Sequence, residues 1–178
     1  MLRKIVGHFC TITHHKWLVL KLCVRAGIPW RGFMHDWSKY SPEEFFESAK
    51  YYTGERSPIY YCKHEKGYSK AWLHHTGRNK HHDEYWYDYN APNQTPVIPY
   101  KYTIEMICDK VAASMVYNGK EWNNSALKNH WERTKHLARI NPKIAELLTD
   151  VFEQIAEKGV KDVIKKEVLK ELYNKHVN

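Results

Sequence analysis

Four histidines lie within nine positions of the stretch AWLHHTGRNKHHDEYW, which covers residues 71–86. They form two adjacent pairs, His74–His75 and His81–His82, among several aromatic residues. Imidazoles at this density fit a metal site, a basic surface for nucleic acid, or packing beside aromatic rings. Nine of the 12 histidines lie within the first 82 residues. We therefore expect any chemistry to reside in the first 110 residues.

The motif HDWSK, residues 35–39, offers a second group of donors. Adjacent His35 and Asp36 reach one divalent cation where a break between helical turns lets their side chains converge. Imidazole nitrogen and carboxylate oxygen together suit Zn, Mn, Fe, Ni or Co. An HD dipeptide is common by chance, so its meaning depends on the residues that accompany it.

Two further candidates lie on predicted helices on either side of these motifs. His15 lies on the apolar stripe of the first helix, where an unpartnered imidazole is costly. His8, one heptad earlier, shares this face and remains an alternative, whereas His14 points about 100° away. Asp109, in EMICDKVAAS, flanks the apolar face of a later helix. A carboxylate there needs a positive partner, either a metal ion or a lysine or arginine.

The order of these residues resembles that of the HD-domain superfamily of metal-dependent phosphohydrolases. In that superfamily an early histidine, an HD dipeptide and a later aspartate bind the metal, and the matching residues here are His15, His35, Asp36 and Asp109. HDWSK resembles the HDxGK variant, with Ser38 in place of glycine. The segments HHKW, HDWSKYSPEEF, AWLHHTGRNKHH and EMICDK also resemble a family of small bacterial and phage proteins with an HD-like core. This likeness covers roughly the first 115 residues.

The resemblance gives the histidine pairs a role. Superfamily members with two or three metals add histidines between the HD dipeptide and the final aspartate, and His75, His81 and His82 are similar to that arrangement. The resemblance therefore implies one or two divalent transition-metal ions. Adjacent residues on a helix diverge by about 100°, so His74 is expected to contact substrate rather than metal.

The reaction implied by the resemblance is hydrolysis of a phosphate ester by a metal-activated water. Asp36 would bind metal and orient the nucleophile, while Lys39 and Arg78 would hold phosphate oxygens. The expected partner is a phosphorylated small molecule or nucleotide. Two alternatives stay open: a non-catalytic module that binds nucleic acid or protein, and an HD-type di-iron oxygenase.

The formal charge of +8 is spread along the chain. Residues 120–178 hold 12 basic and 9 acidic side chains, a net of +3, which leaves +5 for the first 119. No run of five Lys or Arg residues occurs, which indicates a solvated surface that also favours anionic ligands. Nucleic acid stays a possible partner on this basis.

Helical periodicity predominates, and the sequence predicts an all-α fold. We expect one HD-like bundle of about six to eight helices over residues 1–178, with the metal-site core in 1–118 and a helical buttress in 119–178. A capping box is predicted at Ser41–Glu44, a loop over 54–66, and a helix over 67–79. The last helix is predicted over about 161–175.

The four cysteines lack a CxxC pair, so we expect buried free thiols rather than a zinc finger or a disulfide framework. No apolar run approaches the roughly 20 residues of a membrane span, and no signal-like core develops at the start. The expectation is a cytoplasmic protein without a membrane partner. Oligomeric state is not readable from the sequence.

Overall fold

The structure is a computed structural model that describes residues 1–177. Within this range the chain is all-α, as predicted, and contains no strand. It forms ten α-helices: α1 Leu2–Arg25, α2 Pro29–Met34, α3 Pro42–Tyr51, α4 Pro58–Lys66, α5 Lys70–Thr76, α6 Tyr100–Asn118, α7 Ala126–Thr134, α8 Pro142–Lys158, α9 Val160–Val163 and α10 Lys166–Val177. Short 3-10 helices follow at Trp37–Tyr40, Asp83–Trp86, Gly119–Glu121 and Lys135–Leu137.

The main hydrophobic core lies between the second half of α1, α6 and the C-terminal helices. The amphipathic pattern of α8 buries its apolar face completely, and Trp131 of α7 packs edge-on against Phe152. Trp131 also donates its indole hydrogen to Thr149 at 2.9 Å, so its polar atom is satisfied. This core holds α1 and α6 side by side, and these are the two longest helices of the centre described below.

Several predicted boundaries were wrong, each because of a local stop signal. The predicted loop over 54–66 contains α4, which begins with Pro58 in its first turn, a position that suits proline. The predicted helix over 67–79 is only α5, because Gly67 adopts φ 78° and ends α4 and Ser69 caps the next helix. The last helix is divided into α9 and α10, so the count exceeds eight.

The capping box predicted at Ser41–Glu44 is present only in part. Ser41 caps the helix by accepting the amide hydrogen of Glu44 at 3.4 Å, and Pro42 lies in the first turn, as predicted. The Glu44 side chain does not return to the cap. It binds two histidines of α5 instead, at 2.6 and 2.8 Å.

Among residues 1–177, no helix combines the length and apolar composition that a membrane span requires.

Candidate metal centre

Asp36 lies in the break between α2 and the following 3-10 helix. Its backbone is left-handed, with φ 52° and ψ 31°, and no other non-glycine residue in the described part of the chain has a positive φ. Such a conformation is sparsely populated and concentrates at functional sites. His35 before it is extended, with φ −57° and ψ 130°. This sharp change of direction brings two adjacent side chains into one buried place.

The first set of donor atoms comes from α1, the His35–Asp36 break and α6. His15 Nε2 lies 2.9 Å from Asp109 Oδ1, and His35 Nε2 lies 3.2 Å from Asp36 Oδ2 and 3.4 Å from Asp109 Oδ1. Ligands of an ion with bonds of about 2.0–2.2 Å are separated by about 3.3–3.6 Å in a tetrahedral site. The separations of 2.9–3.4 Å lie in or slightly below this range, and the donor atoms of the four residues all lie within 4.8 Å of one another, close enough to hold one cation.

A second set of donors lies on the other side of Asp36. His75 Nε2 and His81 Nε2 lie 3.4 and 3.3 Å from Asp36 Oδ1, and His82 Nε2 lies 3.0 Å from His75 Nε2. The two oxygens of Asp36 thus face different donor sets: Oδ2 the first and Oδ1 the second. A carboxylate shared in this way is the usual bridge between two ions.

Several atoms of the two sets lack hydrogen bonds although they are buried. His35 Nε2, His81 Nε2 and both oxygens of Asp36 have none; the imidazole nitrogens face the Asp36 oxygens at 3.2 and 3.3 Å, and the ammonium of Lys39 lies 2.6 Å from Asp36 Oδ2. Buried polar atoms without partners are costly and uncommon. Cations at the two sets would satisfy these atoms, so the donors fit metal binding.

Glu105 of α6 positions one imidazole from each set, and the sequence reading missed it. Its Oε1 lies 3.2 Å from His35 Nδ1 and 3.3 Å from His81 Nδ1, while Arg31 donates to Oε2 at 2.6 and 2.7 Å. With Nδ1 protonated, each ring turns its Nε2 lone pair towards Asp36. Burial alone would raise the pKa of Glu105, but the hydrogen bonds from His35 and His81 hold it at about 2.

His35, His81 and Glu105 also satisfy the spacing of a third metal group. We assign them a hydrogen-bonding role because the same carboxylate already binds the Arg31 guanidinium through two nitrogens. A signal for Glu105 exists in the sequence. It lies four residues before Asp109 and therefore on the same face of a helix.

Glu44 positions a second imidazole of the second set. Its Oε2 accepts from His75 Nδ1 at 2.8 Å, which leaves His75 Nε2 for the centre. His74 donates to Glu44 Oε1 at 2.6 Å and belongs to neither donor set. The two neighbouring histidines therefore share one carboxylate but only His75 faces Asp36.

Opposed charges dominate the electrostatics of the centre. Burial alone would raise the pKa of Asp36, but the charges of His35 and Lys39 outweigh it and hold that pKa well below its usual range. Burial would lower the pKa of His35, and Asp36 and Asp109 raise it well above its usual value. Burial lowers the pKa of His82, so this ring is neutral and able to bind metal.

A comparison with protein-family models matches residues 4–158 to a family of unknown function, DUF5662. The chain belongs to this family. The matched range contains every residue of both donor sets as well as Glu105 and Glu44. No curated protein and no solved structure matches the chain. Function must therefore be argued from the centre itself.

The remaining candidates from the sequence lie at different distances from the centre. Lys39 contacts Asp36 directly. Arg78 is exposed, and its charge acts on Glu43 of α3; its backbone amide donates to the carbonyl of His75 at 3.2 Å, but among the described residues no hydrogen bond or ion pair joins its side chain to the centre. α5 ends at Thr76, and the chain then turns Arg78 outward. His8 is buried but belongs to neither donor set, so His15 is the histidine that α1 contributes to the centre.

A cavity of about 380 Å³ lies along the groove between α1 and α6. Its walls also include the segment between α3 and α4, and its lining residues include His8, His14, Tyr52, Arg56, Val116 and Tyr117. The charge of Lys39 acts on both His8 and Tyr117, which indicates that the cavity adjoins the centre. His8 Nδ1 is buried and has no hydrogen-bond partner.

Proposed function

We propose that this chain is a divalent-metal-dependent phosphohydrolase with an HD-like centre for two ions. The observation that carries the proposal is the position of Asp36, whose two oxygens each complete a separate donor set. In two-metal hydrolases the ions lie about 3.5–4 Å apart and clamp the attacking and leaving oxygens. The break at Asp36 supports this role, because a strained backbone is retained where it positions a reacting group.

The donor chemistry limits the identity of the ions. The two sets together offer five imidazoles and two carboxylates. Imidazole-rich sites suit Zn, Mn, Fe, Ni or Co, whereas Mg and Ca prefer oxygen ligands. We therefore expect one or two transition-metal ions per chain.

Ions bound there would lower the pKa of a water molecule towards about 7 and neutralise charge on a phosphoryl oxygen. The water oxygen forms a new bond to phosphorus, the ester P–O bond breaks, and the leaving oxygen ends as a hydroxyl group. Asp36 orients the water, and Lys39 holds a phosphoryl oxygen. Burial would lower the pKa of Lys39, but Asp36 keeps it above its usual value, so the ammonium persists near neutral pH.

The organic part of the substrate fits the cavity between α1 and α6. Its volume of about 380 Å³ is that of a small-molecule pocket. His8 Nδ1 offers an unused hydrogen-bonding atom inside, and Tyr52 and Tyr117 provide ring surfaces. A phosphorylated small molecule or nucleotide is the substrate class that this pocket and the centre support together.

Elemental analysis and a hydrolysis panel test the proposal. The wild-type chain should purify with up to two transition-metal ions and hydrolyse some member of a panel of phosphomonoesters, phosphodiesters and nucleotides. Asp36→Asn and His35→Ala should lose metal and turnover, whereas His136→Ala, which replaces an exposed histidine away from the cavity and the centre, should keep both. Full metal content in the Asp36 variant contradicts the bridging assignment. A metal-replete wild type without turnover across the panel contradicts the reaction.

Measurements on the same purified protein also distinguish the two alternatives, a di-iron oxygenase and a non-catalytic binding module. Two irons and oxygen consumption would favour the oxygenase. Salt-dependent binding of DNA or RNA that survives chelation would favour a non-catalytic binding module.

A further inference from the structure

Helix α1 has two apolar faces, only one of which is buried. The buried face packs on the core and the centre. On the other side, large apolar residues are exposed at intervals of 4, 3, 8 and 7: Leu2, Val6, Phe9, Trp17 and Val24. These intervals place them on one side of the helix. A surface helix normally presents polar residues there, so this second stripe is unusual.

The exposed stripe continues onto α2 and the 3-10 helix after it. Ring centroids lie 5.6 Å apart for Trp30 and Phe33, 6.2 Å for Phe33 and Trp37, 5.8 Å for Trp37 and Tyr40, and 6.0 Å for Tyr40 and Phe9. These contacts join the two exposed regions into one outer apolar patch. Its members are Leu2, Val6, Phe9, Trp17, Val24, Trp30, Phe33, Met34 and Trp37.

The patch accounts for half of the 18 large apolar side chains that are exposed in residues 1–177. Trp30 is 68% exposed and Trp17 54%. Contiguous exposed apolar surface of this kind marks an interaction site rather than ordinary surface.

The charge around the patch has one sign. Residues 1–35 contain six Lys or Arg and no Asp or Glu, and only Arg31 of the six forms an ion pair within the described chain. Lys21 Nζ lies 5.0 Å from the centre of the Trp17 ring, and Lys16 Nζ lies 4.5 Å from that of Trp37. Cations of α1 therefore lie against the apolar surface at two of its rings.

We propose that the outer apolar patch docks on the surface of an anionic lipid bilayer. An amphipathic surface with Trp, Phe and aliphatic side chains and a Lys/Arg border is the arrangement that lies in the headgroup region of such membranes. The aliphatic members reach the acyl boundary, the tryptophans lie at headgroup level, and the cations meet lipid phosphates. This binding lies along the surface and needs no spanning helix.

Two other partners, a second copy of this chain and a nucleic acid, fit the patch less well. A second copy would bring the same uncompensated cations to a symmetric interface, where like charges oppose association. A nucleic acid would meet the positive charge, but Leu2, Val6, Val24 and Met34 offer no ring on which a base can stack. The expectation of no membrane partner depended on the absence of a spanning segment, and the proposed docking along a bilayer surface differs from that expectation.

Vesicle binding tests this proposal, independently of whether the centre is catalytic. The full chain is mixed with vesicles of pure phosphatidylcholine or with vesicles containing one-quarter phosphatidylglycerol, and binding is followed by co-sedimentation and tryptophan emission. We expect at least tenfold tighter binding to the anionic vesicles, a blue shift of emission, and weakening by salt. The double variant Trp17→Ser, Trp30→Ser should lose at least tenfold in affinity.

A matched control is Tyr89→Ser with Leu137→Ser, which removes two large exposed side chains outside the patch. It should bind vesicles as the wild type does. Circular dichroism and metal content check that both double variants are folded. The proposal is overturned if the wild type ignores anionic vesicles, if both double variants bind equally, or if the patch variant abolishes a dimer or oligonucleotide binding instead.

Discussion

Replacing Glu105 by glutamine is the sharpest test of the centre, because this carboxylate touches both donor sets without belonging to either. Its Oε1 contacts one imidazole from each set, and its Oε2 accepts hydrogen bonds from the Arg31 guanidinium. All three partners are hydrogen donors. A glutamine side chain offers one acceptor and one donor group, so it satisfies either the imidazoles or the arginine but not both.

The expected losses of metal affinity and of stability in Glu105→Gln follow from these contacts. Loss of the carboxylate that orients a metal-binding histidine typically weakens metal affinity by about 10- to 100-fold, or about 1.4–2.8 kcal/mol. Because His35 and His81 belong to different sets, Glu105→Gln should weaken both ions. A buried donor left facing an amide NH2 group should also cost about 1–3 kcal/mol in the free energy of unfolding of the metal-free chain.

Chelator-competition titrations would measure the two dissociation constants, and urea denaturation would measure the stability. Arg31→Met is the matched control, because it removes the third partner of Glu105 and leaves both imidazole contacts in place. It should destabilise the chain while changing metal affinity by less than threefold. Wild-type affinity for both ions in Glu105→Gln, or an equal loss in Arg31→Met, would refute the positioning role.

Three further substitutions separate other parts of the structure. His82→Ala should reduce the metal content by one ion and weaken competitive inhibition by inorganic phosphate, whereas His136→Ala should change neither. Asp36→Gly and Asp36→Ala should both lose metal, but in unfolding experiments the glycine variant should be more stable by about 1 kcal/mol, because φ 52° disfavours alanine. Burial and the charge of Lys39 lower the pKa of His8 from 6.5 to about 4. As the pH falls, His8 is therefore protonated in the unfolded chain before it is protonated in the folded chain. The free energy of unfolding should therefore fall by about 2–3 kcal/mol as the pH drops from 6.5 to 4. In pH-dependent denaturation, His8→Gln should not show this loss.

The sequence predicted the helical class and the residues that meet at the centre, but not how they are held. His15, His35, Asp36 and Asp109 come together as their resemblance to HD-domain proteins implies, and the structure brings them within one ion's reach. Their roles as ligands stay predictions. The left-handed backbone at Asp36, with φ 52°, was not predicted, because aspartate adopts several backbone conformations and the sequence does not select among them.

The misses have a common cause, which is that local patterns compete with contacts made over long distances. Glu44 matches a capping box within α3, yet two histidines some 30 residues later take its carboxylate. In the sequence Glu105 shares a helix face with Asp109, but its partners Arg31, His35 and His81 are distant along the chain and meet it only in the fold. Arg78, expected to hold phosphate oxygens, lies exposed beyond the end of α5, and its contact with a substrate stays a prediction.

The buried charges explain why two ions suit a phosphate ester better than one. With every imidazole neutral, the centre and its supports carry a net charge of −2, from four carboxylates and two cations: Asp36, Asp109, Glu105, Glu44, Lys39 and Arg31. In the metal-free chain the raised pKa of His35 adds a proton that offsets part of this charge, and metal binding releases it. One divalent ion brings the net charge to zero, and a second brings it to +2. Only the two-ion centre therefore has the positive charge that complements a phosphate dianion, which is why loss of the second ion should weaken phosphate binding even though Lys39 remains.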